Sequence, residues 1–170
     1  MLSTFAPSSF PPALQELAQR IQDKKLVVGI YGLGYVGLPL ALRFCEVGIQ
    51  VLGFDVDESK VQKLNNGSSY IERITSEHIQ RARDQGFVAT ADFTQTTHVD
   101  ALILCVPTPL DAHREPDLSF IINTIEAALP HMRPGQIVSL ESTTWPGTTD
   151  EVLAPRMAAR GLVPGDNCAL

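Results

Sequence analysis

The chain has 170 residues, of which 44% are apolar and 19% charged, enough of each for one packed domain with a solvated surface. Thirteen Lys and Arg against nineteen Asp and Glu leave a formal charge of −6, which argues against a general nucleic-acid binder. Cys45, Cys105 and Cys168 form no C-x-x-C pair, which favours reduced thiols in a cytoplasmic protein over a disulfide scaffold or a zinc site.

In chain order, MLSTFAPSSFPPALQ lacks the basic cluster and apolar block of a secretory signal, and residues 1–12 read as a loose arm. From Pro12 to about Asp23, Leu14, Leu17, Ala18 and Ile21 recur at helical spacing, so the spacing predicts a short amphipathic helix opened by proline. Leu26 to Tyr31 is a short, β-branched apolar run and reads as a buried strand. A helix over 36–47 follows, with Val36, Leu40, Phe44 and Val47 on one face and Gly48 as its stop. Gln50–Phe54 is a second strand, and a helix from Glu58 to Leu64 ends at Asn65-Asn-Gly67. Thr75 opens another helix, with Thr75 and His78 at the ends of a capping pattern. The second half repeats the alternation: strand 87–90, strand 100–106, helix 118–132, strand 136–140 and a last helix over 148–160. Strands alternating with helices of this length imply a doubly wound α/β domain, a parallel sheet with helices on both faces. No apolar run approaches the ~18–20 residues of a membrane span.

Gly32-Leu-Gly34-Tyr-Val-Gly37 sits between the first strand and the first long helix. Gly32 allows the tight turn, Gly34 lets backbone approach a pyrophosphate, and Gly37 lets the helix lie close to the sheet. Amides at the helix start then face the phosphates. Asp55 ends the second strand near the ~20-residue spacing at which an acid meets the ribose hydroxyls, and a carboxylate there favours NAD over NADP. Lys60 lies close enough in sequence to reach the adenosine side. The alternative is a turn built for packing, with Asp55 capping the next helix and Lys60 solvated.

Two later strand ends are unusual. In Cys105-Val-Pro-Thr108-Pro109 the prolines stiffen the exit, either placing Thr108 beside the cofactor or merely redirecting the chain. In Glu141-Ser-Thr143-Thr-Trp-Pro-Gly-Thr-Thr149 the hydroxyls exceed what a cap needs: Thr148 or Thr149 suffices for the last helix, leaving Ser142 and Thr143 to face the cleft. His78, His98, His113 and His131 lack metal-ligand spacing and read as surface or loop residues, Trp145 as a loop anchor, and Arg114, Glu115 and Asp117 as a solvated charged loop.

Gly32-Leu-Gly-Tyr-Val-Gly-Leu-Pro39, Phe54-Asp-Val-Asp57, Val106-Pro-Thr-Pro109 and Glu141-Ser-Thr-Thr-Trp-Pro-Gly147 resemble, in order, the UDP-glucose/GDP-mannose dehydrogenase family. Ser69-Tyr-Ile-Glu72, Arg114-Glu-Pro-Asp117 and the Glu141 segment look most like its UDP-N-acetylglucosamine 6-dehydrogenases, which serve bacterial surface polysaccharides. The resemblance implies a Rossmann-type fold and two NAD-dependent oxidations of the sugar C6 hydroxyl to a carboxylate, through a cysteine thiohemiacetal and thioester. It implies that Tyr35 and Val36 lie along the pyrophosphate, Asp55 holds the adenosine ribose with Lys60 near it, Val106 and Thr108 line the cofactor cleft, and Thr143 positions the catalytic water and contacts the cofactor.

Against the family pattern, no G-x-G-G-x-C-type nucleophile segment is present. Cys45 and Cys105 read as small buried hydrophobes, and Cys168 has no basic neighbour to stabilise a thiolate. The expected organisation is an arm and short helix over 1–24 and an NAD-binding domain over 25–170, with the sugar-nucleotide domain absent and a sixth strand forming near Asn167–Leu170. On this reading the chain binds NAD and turns over no sugar nucleotide; a UDP-sugar is a partner only in a complete enzyme, where a homodimer is also allowed, and no metal, membrane or nucleic acid is involved. Two alternatives stay open: a non-catalytic binding or interaction module using Pro12–Asp23 as a docking helix, and another hydroxyl dehydrogenase, such as a 3-hydroxyacid enzyme.

Overall fold

A computed structural model describes residues 6–110, 114 and 116–170. A 3-10 turn at Pro7–Ser9 leads into α1 (Pro12–Gln22). Then follow β1 (Val27–Tyr31), α2 (Gly37–Glu46), β2 (Gln50–Phe54), α3 (Glu58–Asn65), α4 (Ser76–Asp84) and β3 (Val88–Thr90). After a 3-10 stretch at Phe93–His98 come β4 (Ala101–Leu104), α5 (Ser119–Ala128), β5 (Ile137–Leu140) and α6 (Ala154–Ala158).

The five strands form one parallel sheet in the order β3-β2-β1-β4-β5. Side-chain alternation divides the core between its two faces. Val28, Ile30, Val51 and Ala101 pack with α2 and α4 through Leu38, Ala41, Ile79 and Ala82. Tyr31, Phe54, Leu102 and Leu104 pack on the other face with Ile121, Ile125, Leu153 and Met157. This is the doubly wound α/β fold that the alternating pattern predicts, and the strand order reverses between β1 and β4, where such sheets open a crevice. Beyond β5, Ala169 lies parallel to Ile137, with Ala169 N donating to Gln136 O and Val138 N to Ala169 O, where a sixth strand was expected. At the opposite edge the Asn65 side chain pairs with both polar groups of Ala89: its amide nitrogen donates to the carbonyl at 2.8 Å and its oxygen accepts from the N–H at 3.0 Å.

Three expected elements differ in detail. The buried face of α2 is Gly37, Leu38, Ala41 and Cys45, not the predicted Val36, Leu40, Phe44, Val47 stripe. Small residues bring the helix close to β1 and β2, leaving Leu40 and Phe44 half-buried and Val36 and Val47 outside the helix and exposed. The helix predicted to run to Met132 ends at Ala128 and tightens into a 3-10 turn at Leu129–His131, where Pro130 lacks the N–H a continuing helix needs. The last helix opens as a π-turn at Thr149–Leu153, Pro155 lies at the start of its α-helical part, and Arg156 Nη1 donates to the Val152 carbonyl at 2.8 Å. Thr148 does not cap it: its hydroxyl donates to Trp145 O at 2.8 Å.

α1 lies at the end of the sheet where the strands begin, with Leu14 and Leu17 buried. The Asp100 carboxylate, 2% exposed, accepts from Val27 N at 2.8 Å and pairs with Arg20 of α1 at 3.1 Å and Arg133 at 2.7 Å. These contacts make α1 a flank tied to the domain. Among the described residues no helix is long and apolar enough to cross a membrane.

Candidate functional site

The carboxyl ends of β1, β2, β4 and β5 open into one cleft of about 1120 Å³. Of the ten residues singled out in the sequence, Gly32, Gly34, Tyr35, Val36, Asp55, Lys60, Val106, Thr108 and Thr143 line it. Gly37 does not; it lies beneath, at the first turn of α2.

The glycines differ in what holds them. Gly32 takes a φ of +96°, and a Cβ there would lie 2.8 Å from the Cys105 carbonyl oxygen, so the turn and the end of β4 touch backbone to backbone. A Cβ at Gly37 would collide with the Gly32 carbonyl and lie 3.1 Å from Ile30 Cγ2 of β1, so both the turn and the sheet crowd this position. Around Gly34 nothing lies within 4 Å of that position. The N–H groups of Gly34, Tyr35 and Val36 meet no acceptor among the described residues, and the Tyr35 and Val36 side chains are exposed.

Asp55 is buried at the end of β2. Its Oδ2 accepts from Leu33 N at 3.0 Å and lies 3.4 Å from Lys60 Nζ, while Oδ1 accepts from Asp57 N at 3.0 Å. Asp55 therefore braces the glycine turn and does not cap α3. Asp57 does that, accepting from Ser59 N at 2.9 Å, and these hydroxyl and amide donors hold its carboxyl below the usual carboxylate range. Lys60 is not simply solvated: it contacts Asp55 and lies 5.9 Å from the Tyr70 ring centre.

The β4 and β5 ends are tied together by Ser142, whose hydroxyl donates to Val106 O at 2.7 Å. Ser142 lines the cleft, but its hydroxyl is spent on that tether, contrary to the expectation that it stays free; Thr143 beside it is exposed. Glu141 accepts from Ser139 Oγ at 2.7 Å. Cys105 lies in the cleft floor, and burial, with Glu141 adding to it, pushes its thiol up to about 11. Burial likewise pushes Cys45 up to about 11 and raises Cys168. His78 completes the capping box of α4 with Thr75. Asp117 opens α5 by accepting from Ser119 N at 2.8 Å, and Leu110 pairs with Pro116; Glu115 and His113 lie outside the described residues.

Sequence reasoning missed residues on both sides of the cleft. Tyr70 and Ile71, between α3 and α4, close one side, with the Tyr70 hydroxyl donating to the Leu33 carbonyl. Phe120, Asn123 and Thr124 of α5 and the stacked Tyr31–Phe54 pair, 4.3 Å between ring centres, line the other. Asn123-Thr124 inside the apolar run of α5 was the available signal.

Residues 25–162 match the UDP-glucose/GDP-mannose dehydrogenase family, NAD binding domain. The chain is 37% identical to UDP-N-acetyl-D-glucosamine 6-dehydrogenase of Salmonella typhi over 131 residues, covering 77% of this chain and 30% of that protein. It is 35% identical to UDP-N-acetyl-D-mannosamine dehydrogenase of Methanococcus maripaludis over 130 residues, 72% of this chain and 30% of that one. Among solved structures, GDP-mannose dehydrogenase of Pseudomonas aeruginosa superposes with a TM-score of 0.79 at 29% identity, covering 84% of this chain and 34% of that one. The chain thus spans about a third of the length of these relatives. A match of this extent sets aside a 3-hydroxyacid enzyme. The chain belongs to the UDP-glucose/GDP-mannose dehydrogenase family and carries its NAD-binding domain.

Proposed function

We propose that this chain is the NAD-binding part of a cytoplasmic UDP-sugar 6-dehydrogenase, of the kind that converts UDP-N-acetylglucosamine to its uronate for polysaccharide synthesis. The observation that carries the reading is the meeting, in one cleft, of residues from four separate strand ends: the glycine turn, Asp55 with Lys60, Val106 with Thr108, and Thr143.

The residues fit the cofactor on two counts. Gly34 leaves open the space a Cβ would fill, beside three unpaired amides suited to a pyrophosphate. Asp55 has about four acceptor positions, of which two are taken by amides and one by the loosely held Lys60, so its Oδ1 retains one for a ribose hydroxyl. Bound NAD would supply the two-electron acceptor for oxidation of the sugar C6 hydroxyl. The chain's own part is to hold and orient it: Asp55 and Lys60 at the adenosine ribose, Tyr35 and Val36 along the pyrophosphate, Val106 and Thr108 along the cleft wall. The Thr143 hydroxyl, exposed at the end of β5, would position the catalytic water and contact the cofactor.

Cys45, Cys105 and Cys168 are buried with raised pKa values, so none suits a thiolate nucleophile at neutral pH. In this proposal the nucleophile and sugar contacts, and any homodimer, belong to the part of the relatives' length that this chain does not span. What supports glucosamine as the substrate is the resemblance of Ser69-Tyr-Ile-Glu72, Arg114-Glu-Pro-Asp117 and the Glu141 segment to UDP-N-acetylglucosamine 6-dehydrogenases.

Titration calorimetry with Asp55→Ala tests the cofactor half: NAD binding should weaken far more than NADP binding, and equal losses would refute the ribose role. The isolated chain, supplied with NAD and UDP-N-acetylglucosamine, should form no NADH. For the substrate, an assay of the gene's whole product with both N-acetylhexosamine nucleotides should favour glucosamine; mannosamine preference would overturn that choice.

A further inference from the structure

Leu33, between the first two glycines of the turn, is gripped on three sides. Its side chain is fully buried against Gly53, where an added Cβ would lie 2.8 Å from Leu33 Cδ2. Its N–H donates to Asp55 Oδ2 at 3.0 Å, and its carbonyl accepts from the Tyr70 hydroxyl, 37 residues further along the chain. Tyr70 is in turn tied to the same carboxylate, because Lys60 approaches both its ring and Asp55.

The peptide joining Leu33 to Gly34 is planar and trans, so its carbonyl and N–H point to opposite sides. A carbonyl drawn to Tyr70 turns the Gly34 N–H the other way, and that N–H has no acceptor among the described residues. A peptide free to rotate would present a carbonyl oxygen to an approaching anion in some of its conformers, and each of those repels it.

We propose that Tyr70 is a positioning residue for the glycine turn: by holding the Leu33 carbonyl it fixes the Leu33–Gly34 peptide with the N–H available to a pyrophosphate. The inference rests on the reading of this turn as a pyrophosphate cradle. Tyr70 itself donates its hydroxyl to protein, so it acts through the turn and not by touching phosphate. The turn is then ready before ligand arrives, and binding need not order it.

The test is Tyr70→Phe, which keeps the ring beneath Lys60 and removes only the hydroxyl. Affinities of wild type and variant are measured by calorimetry for NAD, ADP and adenosine. Losing one hydrogen bond that orders the turn should weaken NAD and ADP about fivefold to tenfold. Adenosine, which has no phosphate, should bind as before. As a second measurement, amide exchange at Leu33 should speed up in the variant, while core amides such as Ile30 keep their wild-type protection. A merely structural role would weaken all three ligands by one factor, and that outcome overturns the proposal. So does a variant whose NAD and ADP titrations superimpose on wild type. A wild-type chain that binds adenosine but neither NAD nor ADP overturns the cradle reading, and this inference with it.

Discussion

Asp100 is the most consequential buried charge away from the cleft, and Asp100→Asn isolates its contribution. The carboxylate is 2% exposed and joins three elements: the start of β1 through Val27 N, α1 through Arg20, and the chain before β5 through Arg133. Asparagine keeps the shape and the acceptor for Val27 but leaves two guanidinium groups without a counter-charge. Breaking a buried ion pair by neutralising one partner costs about 3–5 kcal/mol. Here the arginines are 34% and 38% exposed, so water offsets part of that and the lower end applies, about 3 kcal/mol. At about 2.1 cal/mol/K per residue, a chain of this length unfolds with an entropy near 0.36 kcal/mol/K, so the melting temperature should fall by about 8 °C. Circular dichroism melts at neutral pH measure it, with Arg20→Met as the partner variant. Because Arg20 acts mainly through Asp100, its other hydrogen bond being a 3.3 Å one to the Lys25 carbonyl, adding Arg20→Met to Asp100→Asn should lower stability by much less than Arg20→Met does alone. NAD affinity should be unchanged, since Asp100 lies where the strands begin and the cleft where they end. A fall under about 2 °C, or full additivity of the two substitutions, would refute the assignment of Asp100 as the hub.

The glycine turn separates binding from folding. Gly34→Ala has open space around its Cβ and should melt within about 2 °C of wild type while losing NAD affinity roughly tenfold or more. Gly37→Ala drives a methyl group into the Gly32 carbonyl and should destabilise the domain by about 3 kcal/mol; equal melting temperatures for the two variants would contradict this division of roles. The buried thiols and phenols make an alkaline prediction. Cys45 and Cys105 are raised from 9.0 to about 11, and Tyr31 and Tyr70 are also raised, mainly by burial. Folding therefore favours their neutral forms; the stability the two thiols add is complete below about pH 9 and lost as pH rises through 11, and that of the two phenols is lost at higher pH. Urea midpoints should hold to pH 9 and then decline; a midpoint constant through pH 11 would count against it. By the same shift, Cys105 should react with iodoacetamide at pH 8 roughly 100-fold more slowly than free cysteine, as measured by peptide mass spectrometry, and labelling at the free rate would be inconsistent with a buried, protonated thiol.

The strands were legible because each is a short apolar run between polar or glycine boundaries, and a parallel sheet covered on both faces leaves that mark on every one of them. The strand ends of the cleft were legible because close approach of backbone demands glycine, and only a few spacings satisfy it. What sequence left hidden depends on contacts between distant segments. Nothing local to Tyr70 announces that its hydroxyl reaches Leu33, and nothing local to Asp100 distinguishes a strand-leading acid from the anchor of two arginines. The face of α2 was misjudged because bulk was read as burial, whereas the helix buries glycine, alanine and cysteine to come close to the sheet. Ser142 and Thr143 are adjacent hydroxyls of similar chemistry; only the nearness of the Val106 carbonyl commits one of them to structure.

The amide of Asn65 has a consequence for how this domain meets other molecules. β3 is the outermost strand on its side, only three residues long, and its central residue Ala89 has both polar backbone groups engaged by that one side chain. Asn65 imitates the strand that would otherwise dock there, so the sheet is sealed against lateral recruitment on this flank, where Val88 stands half exposed and would favour sticking. The two edges therefore differ: at β3 the central backbone groups are already answered by a side chain, whereas beside β5 it is backbone, that of Ala169, that pairs with Gln136 and Val138.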